Sequence, residues 1–164
     1  MTESVTAGWP EFAVATAGAA AALAGLVMVA VSVNIREILD LPGVPARAAA
    51  AVGSLVLVVV VSVLLLIPGQ PGAMLGVELL LATLGAVWLH LVSLSTLVRQ
   101  ASRPRSARVL SFPLAAVQRV PLIVGGMLLL AGGGGALYWV AAGLVITVIG
   151  SMLDAWVLMV EILR

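Results

Sequence analysis

"AAAAVGSLVLVVVVSVLLLI", residues 48–67, is twenty consecutive residues without a charge. As an α-helix with a 1.5 Å rise, twenty residues cover ~30 Å, the thickness of a bilayer's hydrocarbon core. The run is too long for a buried strand and too apolar for the face of a water-soluble helix. A membrane-spanning helix is the reading that accounts for it, and the rest of the chain follows from that reading.

Four further segments have the same character. They run over 12–39, 73–98, 109–131 and 137–163, interrupted by few charged residues or histidines: Arg36, Glu37, Glu78, His90, Arg119, Asp154 and Glu161. Between the five lie "LPGVP" (41–45), "PGQPG" (68–72), "RQASRPRSAR" (99–108) and "GGGG" (132–135). Glycine ends helices through its conformational freedom and proline through its missing N–H. The expected fold is a single all-α membrane domain over residues 1–164, a bundle of five transmembrane helices. The fourth segment carries Pro113 and Pro121. It reads as a full kinked span, with an interfacial helix followed by a re-entrant half-span as the alternative.

Composition agrees. Hydrophobic residues make up 63% of the 164 and charged ones 9%, with mean hydropathy +1.26. A soluble domain carries roughly 25% charged residues. Net charge is +1, which gives no reason to expect a nucleic-acid partner. The first residues, "MTESVTAGWPEF", carry acids where a cleaved leader would carry bases, so the first segment reads as a retained span. With no cysteine and one histidine, thiol chemistry is excluded and neither a metal site nor a cofactor is expected.

All eight basic residues are arginines, and their placement is lopsided. Arg36 and Arg47 flank the first loop, Arg99, Arg103, Arg105 and Arg108 crowd the third, and Arg164 ends the chain. The N-terminal tail and the second and fourth loops have none. Because arginine-rich loops stay in the cytoplasm, five spans predict the N-terminus outside and the C-terminus cytoplasmic. Trp9, Tyr138 and Trp139 then fall at outer edges, while Trp88 and Trp156 lie deeper and are expected to pack.

Ionisable groups within a span cost about 2.5–3.5 kcal/mol each on the translocon insertion scale, so they face protein or a watery cavity. Counted at 1.5 Å per residue, Asp154, Arg119 and His90 all lie ~12–15 Å from the inner ends of their spans. This intramembrane polar layer is the expected functional site, with an Arg119–Asp154 ion pair at its centre. Glu78, ~9 Å from the outer end of its span, is a candidate outer polar site or a carboxylate reaching outward. Asn34, Arg36 and Glu161 are placed at the inner interface, with Asn34 bonding to a neighbouring helix and Glu161 meeting loop arginines. Small residues let helices approach closely in lipid. The expected packing positions are Gly18 and Gly25 in the first span, Gly125 and Gly126 in the fourth, and Gly143 and Gly150 in the fifth. Gly143, Gly150, Asp154 and Glu161 follow steps of seven, four and seven, which keep them on one stripe.

No HExxH, Walker A or GxGxxG motif is present. Ser151 with His90 as base lacks the local context of a nucleophile elbow, so no enzyme activity is expected.

"SVNIREILDLPGVPARA" (32–48), "LIPGQP" (66–71), "ALYWVAAG" (136–143) and "LDAWVLMVEILR" (153–164) resemble an uncharacterised group of small multipass inner-membrane proteins of actinobacterial type. The resemblance implies five spans in a bacterial cytoplasmic (inner) membrane, and a shared pattern that includes Asn34, Arg36, Asp154 and Glu161. It implies no activity.

Two functions fit these expectations. The first is a non-enzymatic membrane subunit, partnered by the lipid bilayer and by a homo-oligomer or another membrane complex. The second is a small proton-linked transporter or ion pathway using Glu78, His90, Arg119 and Asp154.

Overall fold

A computed structural model describes residues 5–40, 44–100 and 105–162, with side chains outside 92–116, 158, 161 and 162. The described chain is helical, with no strand among the described residues. Its elements are α1 (Pro10–Val33), α2 (Ile35–Asp40), α3 (Val44–Leu64), α4 (Gly72–Gln100), α5 (Arg105–Leu130) and α6 (Ala136–Ile162).

α1, α3, α4 over Gly72–Leu91, and α6 over Ala136–Val157 are each long and apolar enough to cross a membrane. In α5 the apolar run is shorter, Val117–Leu130. The helix itself continues through both Pro113 and Pro121, and its 26 residues extend ~39 Å at helical rise.

Breakers sit where the helices stop. Pro45 lies in the first turn of α3, where its absent N–H costs no helical bond. α5 ends in a Schellman turn. Gly132 takes φ 68°, its N–H bonds to the Leu129 carbonyl, and the Gly133 N–H bonds to the Leu128 carbonyl at 2.8 Å. Only glycine adopts this left-handed geometry without a Cβ penalty. The first segment does not run unbroken to residue 39. α1 stops at Val33, and Asn34 (φ −106°, ψ 24°) separates it from the six-residue α2.

α3, α4, α5 and α6 form a ring, each touching the next and α6 closing on α3. Short connections between consecutive helices force antiparallel neighbours. The helix α1 lies outside this ring against α3 and barely meets α6. Two ends result: one holds the connections at 65–71 and 131–135 and is free of arginine; the other holds α2, the start of α3 and most of the arginines.

The main core belongs to the arginine-free half. Val58, Val61, Leu75, Leu79, Leu122, Val140 and Leu144 are fully buried there. Trp9 closes this end, edge-on to Tyr138 at 5.1 Å and to Phe12 at 5.8 Å. A small second cluster of Ile38, Val44 and Ala48, with Val31 against it, ties α2 to α3 at the other end. Trp88 and Trp156, expected to pack, are instead 67% and 66% exposed. They stand on the outer faces of α4 and α6, where the ring has no further helix to cover them and the indole's large apolar area suits lipid.

Candidate functional site

Among the described side chains, each helix of the ring contributes one ionisable group to the arginine-end half. Asp154 comes from α6, Arg119 from α5, His90 from α4 and Arg47 from α3. Arg119 is 8% exposed, and the other three are half-buried. The charges of Arg47, His90 and Arg119 all act on Asp154, that of Arg47 most strongly. His90 in turn feels both Arg119 and Asp154.

Helical rise explains how they meet. Measured from the arginine-free ends of their helices, His90 and Asp154 lie ~27 Å down and Arg47 ~26 Å, whereas the Cα of Arg119 lies only ~16 Å down. Side chains lean toward the N-terminus of their own helix. α5 starts at the arginine end and α6 at the other, so Arg119 leans toward Asp154 while Asp154 leans back. The Arg119 guanidinium, carried on a long stem, is near enough for its charge to act on Asp154. Counted along the helices, His90, Asp154 and Arg47 share a level, and the Cα of Arg119 lies nearer the arginine-free end.

Arg47 is the member that sequence counting missed. Starting the second span at Ala48, where the charge-free run begins, leaves Arg47 in a loop. The helix begins four residues earlier, at Val44, which places Arg47 in the first turn of α3. The available signal was Pro45, a residue suited to a helix's first turn.

Above the cluster, α5 and α6 interlock. A Cβ on Gly150 would collide with the Gln118 side chain, and one on Gly143 would sit 2.7 Å from Leu122 Cγ. Gly125 makes room for Val140, with a Cβ 2.6 Å from its Cγ2, and Gly126 makes room for Leu79 and Leu80 of α4. Gly76, absent from the sequence-based positions, is equally tight: its Cβ would lie 2.9 Å from the Gly126 carbonyl oxygen. The Thr147 hydroxyl bonds to the Gly143 carbonyl at 2.7 Å and shares its hydrogen with the Gln118 carbonyl at 3.3 Å. That second contact places a donor across the seam in the turn that Pro121 leaves one N–H short. Ser151, one helical turn before Asp154, is fully buried with its Oγ unpartnered.

Other expected residues fall elsewhere. Asn34 does not bond to a neighbouring helix; its Nδ2 donates to the Ala30 carbonyl at 2.9 Å, within its own chain segment. The same Ala30 carbonyl also accepts the Asn34 backbone N–H at 3.3 Å, so main chain and side chain of Asn34 together close the last turn of α1. Gly18 and Gly25 are not packing positions within the chain. A Cβ at either would meet nothing within 4 Å, because α1 rests on α3 through Ala13, Ala20 and Ala24 on its other side. Arg36 is exposed on α2. Glu78 lies near the arginine-free end and accepts a hydrogen bond from the Gln70 amide. Glu161 belongs to α6, and its side chain and the loop arginines expected to meet it lie outside the described side chains. Among the described residues, no group of three or more His, Cys, Asp or Glu could hold a metal ion.

What these elements define is a helical bundle whose apolar helices face a lipid bilayer, with an ionisable cluster inside one half of its ring. Compared with protein-family models, with curated proteins and with solved structures, the chain gives no significant match.

Proposed function

We propose that the protein is a five-span protein of the bacterial cytoplasmic membrane, arginine end inside, working as a non-enzymatic module that assembles with a second copy or another membrane complex. The observation that carries assembly is the state of the glycines. Those on α5 and α6, with Gly76 of α4, are filled by neighbours within the chain, whereas Gly18 and Gly25 of α1, like the single Gly53 of α3 and Gly85 of α4, face open space, and only α1 carries two such glycines on one face. Glycine costs a helix about 1 kcal/mol relative to alanine, and close helix approach in lipid is what offsets that cost. Only 11% of α1's apolar window is buried, against 22% for α4 and 44% for α3 and α6, so among these four spans α1 has the most surface left to cover.

Because the chain has no cysteine, single-cysteine variants give a clean test. Gly25→Cys should form disulfide-linked dimers in native membranes and Ala20→Cys should not. Absence of the cross-link, together with a monomer free of co-purifying membrane proteins, removes the assembly reading. Span number and orientation are checked by an impermeant maleimide. Gln70→Cys and Gly134→Cys should label from outside, and Ser102→Cys only after permeabilisation.

A second reading, a proton-linked pathway, is favoured by the convergence of one ionisable side chain from each ring helix. It has to contend with Leu79, Leu122 and Leu144, all fully buried, between Glu78 and the cluster. Proton flux in liposomes that falls with Asp154→Asn and His90→Ala would establish it. Flux that is absent, or indifferent to both changes, excludes it.

A further inference from the structure

Where α1 and α6 diverge toward the arginine end, they leave a groove of about 160 Å³. Leu26, Val27, Ala30 and Val31 of α1 form one wall, and Ala155, Trp156 and Met159 of α6 the other. Every one of these side chains is apolar. Water in such a groove would find no hydrogen-bond partner, whereas an acyl chain would gain dispersion contacts on both sides. By helical phase the groove lies on the opposite flank of α1 from Gly18 and Gly25, 100° per residue separating successive positions. The assembly face of α1 and this groove are therefore independent.

Directly beyond the groove stands α2. Arg36 follows Val31 by five residues, ~8 Å at helical rise. Ile38 is buried against α3 at 1% exposure, which fixes the roll of this short helix. Arg36, Glu37 and Asp40 are all exposed. Their charges are one positive and two negative within five residues, just past α1, whose 24 residues extend ~36 Å and so reach across a bilayer's hydrocarbon core. A purely anionic headgroup would meet the two carboxylates and be repelled. A quaternary ammonium has no N–H to give them. A headgroup with both a phosphate and a primary ammonium satisfies both signs: the guanidinium binds phosphate oxygens and the carboxylates accept ammonium N–H bonds, the charge-assisted kind.

We propose that this groove and α2 together bind a phosphatidylethanolamine of the leaflet at the arginine end, one acyl chain between α1 and α6 and the headgroup over Arg36, Glu37 and Asp40. Trp156 lines the groove and reports on it. Trp88, equally exposed on another helix, reports on bulk lipid.

The test uses the full-length protein in phosphatidylcholine vesicles doped with one chain-brominated lipid at a time: phosphatidylethanolamine, phosphatidylglycerol or phosphatidylcholine. The Trp156 signal is wild type minus Trp156→Phe, and the Trp88 signal is wild type minus Trp88→Phe. Brominated phosphatidylethanolamine should quench Trp156 at a mole fraction about fivefold lower than the other two lipids, the weight of one charge at a membrane surface. Trp88 should not distinguish the three. Arg36→Gln should raise the mole fraction needed by a similar factor, and Glu37→Gln with Asp40→Asn should shift preference toward phosphatidylglycerol. Identical quenching curves for the three lipids at Trp156 would overturn the proposal. So would a Trp156 shielded from every lipid, the result expected if a protein partner fills the groove.

Discussion

The α5–α6 seam and the α1–α3 contact meet the same problem, holding two apolar helices together in lipid, and meet it with different residues. The seam removes side chains at Gly125, Gly143 and Gly150 so that Val140, Leu122 and Gln118 can fill the space. It adds a hydroxyl bond from Thr147 across the interface. The α1 contact uses alanines, Ala13, Ala20 and Ala24, which allow approach without demanding a matched partner. Lipid tails are as apolar as the helix surfaces, so association rests on packing and hydrogen bonds rather than on expulsion from water. A seam built from glycine pockets is specific and intolerant; a contact built from alanine is permissive. That contrast separates a rigid ring from a helix free to take part in assembly.

Alanine substitutions break the comparison most directly. At Gly125 the new Cβ meets the Ala136 carbonyl oxygen at 3.1 Å, and at Gly76 it meets the Gly126 carbonyl oxygen at 2.9 Å. Backbone cannot swing aside, so Gly76→Ala and Gly125→Ala should each destabilise by about 1–3 kcal/mol, the usual cost of overpacking. Gly18→Ala and Gly25→Ala meet nothing within 4 Å and should leave the monomer unchanged or stabilise it by up to about 1 kcal/mol through helix propensity. Unfolding in mixed micelles measures both pairs. Equal costs at all four positions would erase the distinction between seam and contact.

Much of this architecture is legible in the sequence, and the misses have physical causes. Charge-free runs and Gly/Pro clusters locate helices because desolvating backbone and charge dominates the energetics of a membrane segment. The bend at Asn34 is not legible that way: apolar character continues past it, and only a local side-chain bond to Ala30 marks it. Periodicity puts Gly143 and Gly150 on one stripe with Asp154, but it equally puts Gly18 and Gly25 on a stripe that touches nothing within the chain. Spacing identifies a small face; it does not say whether the same chain fills it. Arg47 escapes for a related reason, since a count that stops at the first charge also stops short of a helix's polar first turn.

The ionisable cluster tests the ring at intermediate magnitude. Arg47 lies level with Asp154 along the bundle, whereas the Cα of Arg119 lies ~10 Å nearer the other end, so the α3–α6 contact, not the α5–α6 seam, should hold the tighter charge coupling. Double-mutant cycles of Asp154→Asn with Arg47→Gln and with Arg119→Gln measure it. Polar couplings within membrane bundles average about 0.6 kcal/mol and reach about 1.7, and the Arg47 cycle should fall nearer the upper value. A larger coupling for Arg119 supports the Arg119–Asp154 pair expected from sequence and puts the charge lock at the seam. If neither cycle departs from additivity and a charge swap rescues nothing, the cluster does not hold the helices together.

The smallest effect is expected at the opposite end, where Gln70 bonds to Glu78. This carboxylate is half-buried and close to the end of α4, so water compensates for most of what a lost partner takes away. Gln70→Ala should cost about 0.5–1 kcal/mol, the net worth of an ordinary hydrogen bond, and Glu78→Gln about the same because an amide still accepts from Gln70. The pair of variants also separates two roles for Glu78. As a brace between α4 and the 65–71 connection it tolerates conversion to glutamine, since geometry and hydrogen bonding survive while charge is lost. As an outer proton step it does not, because an amide cannot carry the proton. Liposome flux lost in Glu78→Gln but retained in Gln70→Ala would therefore join this end to the cluster across the dry leucine layer. With stability and assembly both near wild type in Glu78→Gln, the polar groups at the two ends serve separate ends of the bundle, and the core between them is a barrier.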